Sequence, residues 1–300
     1  MNLLALIEQE LQNGYSQENA RAKVCQDLIL DAIANGPLNR NLTIKGGVVM
    51  RSRTNDVRRA TQDLDMDFIK YSLSDESIDA FISKLNCLDG VHFSRDGAIK
   101  ALKQQDYKGK RVYIRITDDE GNSIRSKIDL GVHVRLDIAQ EEYCFDIAFD
   151  ENGASLLINS NEQMLAEKIR SLLRFGTAST RYKDIADIYY LIEHVDKDKL
   201  NHCLNAYVYE DDVMHESNAS DVVRRLQAIF SDEDYRERAE TSKRVWMDIP
   251  LQEIFEGIVG FFECKWRKLT AAFAEQNGRR APAFGREAQP NGRVSSICSF

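Results

Sequence analysis

The stretch TQDLDMDF, from Thr61 to Phe68, alternates three aspartates with three large apolar residues. In a β-strand, residues two apart lie on the same face, so the carboxylates share one face and the apolar side chains the other. The three aspartates are Asp63, Asp65 and Asp67. Carboxylates packed this closely repel one another unless a positive charge lies among them. The pattern therefore predicts a strand with one buried apolar face and one acidic face that needs a cation.

The same alternation returns downstream in SKIDLGV, where Lys127 and Asp129 fall on the face opposite Ile128 and Leu130. If both strands belong to one sheet, Asp129 joins Asp63 and Asp65 in an oxygen-rich site suited to Mg²⁺ or Mn²⁺. Two such ions about 3.5–4 Å apart can activate an attacking hydroxyl and neutralise a leaving pyrophosphate. We expect these three carboxylates to converge, with Asp67 farther along the strand. A solvated edge-strand face is the competing interpretation.

Upstream of the acidic strand, LTIKGG predicts a short strand that ends in a glycine turn. Without a side chain, Gly46 and Gly47 let backbone N–H groups approach phosphate oxygens, and a following helix N-terminus adds its dipole. A glycine pair alone most often only makes a turn. Its position 16 residues before the first aspartate of the DxD pattern makes the combination more specific.

Two segments in the second half of the chain add charged candidates. Lys168 lies in EKIRSLLR, and the next segment, RYKDIADIYY, places Asp184 and Asp187 three residues apart, on one face of a predicted helix. Arg181 or Lys183 could pair with them. An ion-paired helix surface is an equally simple interpretation of this segment alone.

The composition, with 43% apolar and 29% charged residues in a chain of 300, is that of a globular protein. RVYIRIT and SIRSKIDLGVHV predict a β-hairpin around an Asp/Gly/Asn turn, and helical periodicity begins near residue 156. We therefore expect an α/β domain over 1–155, a helical domain over 156–276 and a disordered tail over 277–300. The scattered cysteines, the absence of a basic leader and the lack of long apolar runs predict a cytoplasmic protein without a membrane segment.

The charge distribution is uneven. The net charge is -8, yet residues 95–135 hold ten Lys and Arg against six Asp and Glu, whereas 210–240 hold four against ten. An acidic protein of this kind can still carry one basic cleft for nucleic acid. Solvated faces of mixed charge explain the same counts.

Together these motifs resemble the AbiEii/AbiGii toxin family of nucleotidyltransferases, part of the DNA polymerase β-like superfamily. The resemblance covers roughly Ile44 to Ile192 and rests on strand-KGG, an R-x-T-x-D-x-D element that begins at Arg59, a strand ending in I-D, and E-K followed by R-x-K-D-x-x-D. It implies an α/β (α+β) nucleotidyltransferase fold with a mixed sheet, followed by a helical C-terminal domain.

The resemblance also implies an activity: transfer of a nucleoside monophosphate from an NTP to an acceptor hydroxyl. The acceptor would be RNA, such as the 3′ end of tRNA, or alternatively a protein hydroxyl, and the protein would be the toxin of a toxin–antitoxin or phage-defence pair with a cognate antitoxin. The implied catalytic residues are Asp63, Asp65, Asp129, Lys168, Asp184 and Asp187, of which the first three bind metal. The implied nucleotide-binding residues are Lys45, Gly46, Gly47, Arg59, Arg181 and Lys183.

One position departs from the family pattern. Relatives usually carry Ser or Thr directly after the glycine pair, where the hydroxyl helps to hold the triphosphate, and this chain has Val48. Either the glycine backbone and nearby basic residues suffice, or nucleotide binding is weakened, in which case Val48→Thr would tighten it. Two alternatives stay open: a small-molecule nucleotidyltransferase of the aminoglycoside-modifying kind, and a degenerate nucleotide-binding interaction protein.

Overall fold

The structure is a computed structural model that describes residues 1–102 and 109–278, with side chains described to residue 264 within this range. The strands, in chain order, are β1 (Leu42–Lys45), β2 (Asp63–Phe68), β3 (Val91–Arg95), β4 (Lys100–Ala101), β5 (Lys110–Asp118), β6 (Ser123–Val132), β7 (Glu141–Ile147) and β8 (Asp150–Ile158). The α-helices of the described chain are α1 (Leu3–Gln12), α2 (Gln17–Ala34), α3 (Gly47–Thr54), α4 (Asp75–Lys84), α5 (Asn161–Phe175), α6 (Tyr182–Ile192), α7 (Lys197–Leu204), α8 (Ala219–Phe230), α9 (Glu233–Glu240) and α10 (Leu251–Gly278).

The strands form one mixed sheet, which confirms the expected α/β class. Their order is β3-β5-β6-β2-β1-β8-β7, with β4 added beside β5. The acidic strand β2 is central, because it pairs parallel with β6 and antiparallel with β1. The predicted hairpin is present as β5 and β6, joined through hydrogen bonds between Asp118 and Asn122.

One face of the sheet is apolar and packs on helices. Leu64, Met66 and Phe68 of β2 are fully buried, as the alternation in TQDLDMDF predicts. The ring of Phe68 meets that of Phe81 on α4 edge to face, with centroids 5.4 Å apart. Ser74 caps α4 by accepting from the amide of Ser77. Burial on this face orients the strands, because it forces the alternate, polar residues of β2 and β6 onto the other side.

The change from strand to helix occurs later than expected. Residues 156–158 belong to β8, which pairs antiparallel with β7 and parallel with β1, and α5 begins only at Asn161 behind a Ser160 cap. Neither β3 nor β8 is predicted from the sequence pattern. Both strands carry polar residues on their exposed positions, and their partners in the sheet supply the backbone hydrogen bonds that their own pattern does not indicate.

The helical segments after Ser160 contact the loop between β6 and β7. Gln163 of α5 donates to Tyr207 and accepts from Gln140, and Arg135 bonds the carbonyl of Ala206. The division into domains at 155 stays a prediction. Of the predicted tail, residues 277 and 278 end α10, and the rest lies outside the described residues. Within the residues described, no helix is both long and apolar enough to span a bilayer.

Candidate active site

The strand register brings the predicted carboxylates onto one face. Asp65 pairs with Asp129 across β2 and β6, and two residues earlier on both strands Asp63 pairs with Lys127. Side chains of paired residues project to the same side of a sheet, and so do those of residues two apart. Asp63, Asp65 and Asp129 therefore share the polar face, as the alternation predicts, with Asp67 two residues farther along β2.

Asp65 is a carboxylate of this face whose charge the neighbouring cations only partly compensate. Burial raises its pKa to about 6, and the neighbouring carboxylates of Asp129 and Asp63 add to this effect. Lys45 and Arg181 act in the opposite direction through their charges and do not cancel it. A buried carboxylate beside two others is a position where an added cation would be stabilised.

The remaining carboxylates on this face accept from cations. Arg111 of β5 binds Asp129 with two bonds of 2.7 Å, and Lys127 lies 2.5 Å from Asp63. Arg111 and Lys127 were not among the residues predicted for the site. The signal was present, because both follow the two-residue alternation that placed Asp129.

The glycine turn is built against the carboxylates. Gly46 has φ +67°, a conformation that L side chains rarely adopt, and a Cβ there would lie 2.7 Å from Oδ2 of Asp65. A Cβ on Gly47 would lie 2.6 Å from Oγ1 of Thr61. The helix α3 begins at this turn, and the first amides of a helix have no partner within the helix. The turn therefore presents backbone N–H groups beside Asp65.

The burial of Val48 bears on the expectation drawn from its departure from the family pattern. Val48 is fully buried within the hydrophobic core, so its side chain occupies an apolar environment. A hydroxyl added there would be placed in the core, and the prediction that Val48→Thr would tighten NTP binding is not supported by this placement. The physical reason is that the first turn of α3 directs this side chain inward, away from solvent.

Lys45 lies in a buried polar layer beneath the carboxylates. It is paired with Asp65 in the register of β1 and β2, and its Nζ lies 2.7 Å from Oδ2 of Asp67. Burial raises the pKa of Glu167 on α5; the charge of Lys45 opposes this shift and that of Asp67 adds to it. Contact with a nucleotide, the role expected for Lys45, stays a prediction, and an ammonium group has three N–H donors with which to meet both Asp67 and a phosphate.

The candidates from the second half converge on α6. Asp187 is fully buried; Arg59 binds both of its oxygens at 2.5 and 2.7 Å, and Trp246 donates to it at 3.0 Å. Lys168 lies 2.6 Å from Asp184 and 2.8 Å from Asp187. This arrangement gives Asp187 the place of a positioning residue beneath the site, and its role in the reaction stays a prediction.

Arg181 and Lys183 differ in what they can reach. The Arg181 side chain is 61% exposed, lies 2.6 Å from Asp184 and acts electrostatically on Asp65. Lys183 donates to the carbonyl of Ala60 at 2.7 Å, and burial, together with the charge of Arg59, lowers its pKa. Arg181 is thus the better placed of the two to meet a phosphate.

A family model described as "Nucleotidyl transferase AbiEii toxin, Type IV TA system" matches residues 28–256. The match covers most of the chain and contains every residue of the site described above. The chain belongs to the AbiEii family. It is a nucleotidyltransferase, and the predicted resemblance is confirmed. Curated proteins yield no match.

Two solved structures of one antibiotic-resistance factor are similar to this AbiEii protein. The solution structure of the antibiotic-resistance factor ANT(2'')-Ia aligns with a TM-score of 0.40 and 15% identity, over 62% of this chain and 92% of that chain. The crystal structure of the same factor with adenylyl-2"-tobramycin aligns with a TM-score of 0.36 and 16% identity, over 62% and 95%.

The residues of the AbiEii site fit a divalent cation in chemistry. Asp63, Asp65 and Asp129 offer the oxygen ligands that Mg²⁺ prefers, and a Cβ on Gly46 would fill the space against Asp65. Among the described side chains, those of residues 1–102 and 109–264, no group of three or more His, Cys, Asp or Glu is arranged to hold a metal. Two of the three carboxylates instead pair with cations of the protein: Asp129 with Arg111 and Asp63 with Lys127.

Proposed function

We propose that this AbiEii protein transfers a nucleoside monophosphate from an NTP to the 3′-hydroxyl of an RNA, such as tRNA, with divalent metal held by Asp63, Asp65 and Asp129. The observation that carries the proposal is the register pair of Asp65 and Asp129 beside the glycine turn. Mg²⁺ or Mn²⁺, when bound, would supply the positive charge that stabilises the attacking oxygen and the leaving pyrophosphate.

The protein's own groups hold and orient the triphosphate. Amides of the glycine turn and the first turn of α3 point at phosphate oxygens, and Arg181, exposed and near Asp65, pairs with them. The acceptor oxygen forms a bond to the α-phosphorus, and the bond from that phosphorus to the bridging oxygen of the β-phosphate breaks. Pyrophosphate leaves with the electron pair.

The proton of the acceptor hydroxyl passes to a carboxylate of the site. We assign this role to Asp129, the residue that the sequence pattern also favours. Both oxygens of Asp129 accept from Arg111, and the proton would bind a lone pair that these two hydrogen bonds do not use. Lys168 holds Asp184 and Asp187 in place, and Asp184 in turn holds Arg181.

As a member of a toxin family of type IV toxin–antitoxin systems, the protein would work in the cytoplasm and be opposed by a cognate antitoxin. Its activity would then arrest growth when it is expressed without that partner. We propose RNA as the acceptor because the range 95–135, which is rich in Lys and Arg, contains β5 and β6, and these two strands adjoin the site.

The test is incubation with labelled NTPs, Mg²⁺ and total RNA. We expect label in RNA with the wild type, and none with Asp65→Ala, which removes a carboxylate of the metal site. Asp79→Ala is the matched control, because Asp79 is a 48% exposed aspartate of the same α/β half that pairs with Arg95. Loss of transfer in both variants, or in neither, contradicts the proposed metal site.

The salt dependence of the KM for the acceptor distinguishes an RNA acceptor from a small-molecule acceptor. An RNA acceptor predicts a KM that rises steeply with salt, since phosphate contacts release counterions. Label in a small molecule with no such dependence would favour the aminoglycoside-type alternative. Absence of transfer with every NTP would favour a nucleotide-binding interaction protein.

A further inference from the structure

The polar face of the sheet continues beyond the carboxylates along the hairpin of β5 and β6. From Asp129 the register steps outward through paired rows, first Tyr113 with Lys127 and then Arg115 with Arg125. These residues share a face with Asp129 because they alternate with it along each strand. We name the basic strip as Arg111, Tyr113, Arg115, Arg125 and Lys127.

The reverse side of the same hairpin is buried, which establishes that the basic strip is the outer side. Ile114, Ile116 and Ile128 are fully buried in the core. By contrast the side chains of Arg115 and Arg125 are 47% and 53% exposed. The strip is thus a surface that begins at the catalytic carboxylates and opens to solvent.

The centre of the basic strip holds a planar stack. The guanidinium of Arg125 lies over the ring of Tyr113, 4.0 Å from its centroid, and the ammonium of Lys100 lies 5.7 Å from the same centroid. Unpaired bases stack on aromatic rings and on guanidinium planes. Arg125, half exposed with Tyr113 behind it, offers such a plane.

The acids near the strip leave it positive. Asp96 bridges Arg115 at 3.1 Å and Arg125 at 2.7 Å, Lys127 is held by Asp63 and Arg111 by Asp129. Together with Lys100, five cations face four acids once Asp65 beside Asp129 is counted, and Asp63, Asp65 and Asp129 belong to the proposed metal site. On a chain of net charge -8, this local excess favours an approaching polyanion here over the acidic remainder.

We infer that the basic strip binds the single-stranded acceptor end of the RNA. This inference rests on the proposed function, which places the reacting 3′-hydroxyl at Asp65 and Asp129. Arg125 is four residues from Asp129 along β6, a separation of roughly 13 Å at about 3.3 Å per residue. A strand whose terminal hydroxyl lies at the carboxylates would then bring an upstream base onto Arg125 and its phosphates to Arg115.

Binding tests the inference without any transfer step. The probe is a fluorescent single-stranded RNA of about twelve nucleotides, added to the full-length protein without NTP. For Arg115→Ala/Arg125→Ala we expect affinity to fall about tenfold or more, equal to about 1.4 kcal/mol. The slope of log affinity against log salt should also fall by about 0.7 for each phosphate that the variant no longer neutralises.

The matched control is Arg40→Ala/Arg224→Ala. These arginines are also exposed and paired with an acid, Glu142 and Asp221 respectively, but lie away from the strip. The charge change is identical, so equal decreases in affinity in the two double variants would overturn the inference, as would unchanged affinity in the strip variant. Failure of the wild type to bind the probe would overturn it too.

Arg125→Lys separates stacking from charge. We expect this variant to keep the salt slope and lose affinity several-fold, because an ammonium has no plane on which a base can lie. If Arg125→Lys bound the probe with wild-type affinity, the proposal that a base stacks on the Arg125 guanidinium would be overturned. Competition by a polyglutamate peptide as strong as that by unlabelled RNA would show a general anion surface and overturn the RNA assignment.

Transfer assays keep this inference distinct from the proposed function. If both hold, the strip variant raises the KM for RNA and leaves the KM for NTP unchanged. If the wild type labels RNA and the strip variant has the same KM, the strip inference fails and the proposed function stands. If the wild type labels no RNA but the strip variant loses probe binding, the proposed function fails and the strip stands.

Discussion

Asp65 has a raised pKa, which makes the stability of the metal-free protein depend on pH. Its pKa of about 6 reflects burial first and the carboxylates of Asp129 and Asp63 second. A raised carboxyl pKa means that the ionised form destabilises the folded state. In the metal-free protein, this side chain therefore favours the fold when protonated and opposes it when charged.

We predict that Asp65→Asn stabilises the metal-free protein at about pH 8 by on the order of 1–3 kcal/mol. Wild-type stability falls as pH rises from about 4 through about 6, where the folded protein releases the proton. The variant lacks this loss, so its advantage shrinks near pH 4. Urea unfolding in a chelator at both pH values measures the difference. An advantage that is equal at the two pH values contradicts the prediction.

Val48 yields a prediction opposite to the one drawn from sequence. Because its side chain is fully buried in the core, a hydroxyl there loses hydration, and Val48→Thr should destabilise the fold by about 1–3 kcal/mol. We expect no gain in NTP affinity. Thermal unfolding and NTP titration measure the two effects. A tighter NTP complex with unchanged stability would restore the phosphate role for this position.

Among the elements, the turn from β1 into α3 has the tightest geometry around the site. Gly46 combines a positive φ with contact against the carboxylate of Asp65. Gly14, at the end of α1, also has a positive φ, of +95°, yet a Cβ there meets nothing within 4 Å. A substitution at Gly14 therefore introduces backbone strain alone, whereas one at Gly46 introduces the same kind of strain and also displaces the Asp65 carboxylate.

We predict that Gly46→Ala abolishes transfer, whereas Gly14→Ala lowers stability alone. Both substitutions impose strain on the order of 1–3 kcal/mol, because L residues disfavour this backbone region. Only at position 46 must a carboxylate also move. Transfer rates and urea midpoints for both variants provide the measurement. Full activity in Gly46→Ala would show that the turn does not set the position of Asp65.

At the scale of the whole molecule, α6 joins distant parts of the chain. Asp187 bonds Arg59 from the turn before β2, Lys168 from α5 and Trp246 from the segment before α10. Burial opposes ionisation of Asp184, yet the charges of Lys168 and Arg181 outweigh it and lower its pKa to about 2. Ionised side chains therefore tie α6 to the turn before β2 and to α5.

We predict that this network is disrupted in acid. A depressed carboxyl pKa contributes stability that is present above about pH 4 and disappears as pH falls towards about 2. For Asp184 the contribution is on the order of 2 kcal/mol, so Asp184→Asn should flatten the loss of stability between these pH values. Urea midpoints from about pH 2 to pH 5 measure it. The same steepness in the variant and wild type contradicts the prediction.

Alternation and turn chemistry in the sequence were enough for part of this architecture. The apolar face of β2, the hairpin of β5 and β6 and the side of each strand on which Asp63, Asp65 and Asp129 lie all follow local patterns. Such patterns survive in the fold because each is set by residues two to four positions apart. The family was likewise visible in the order of short motifs.

Tertiary structure alone decided which charges meet. Local spacing carries no record of a partner strand that is distant in the chain, so the pairing of Lys127 with Asp63 and of Lys45 with Asp67 could not be derived from it. The strand β8 is another case, since its pairing with β1 and β7 gives it a place that its own residues do not indicate. The inward direction of Val48 also depends on the packing of α3. These features arise from contacts between residues far apart in the chain, where sheet register and burial, and not local periodicity, determine the neighbours.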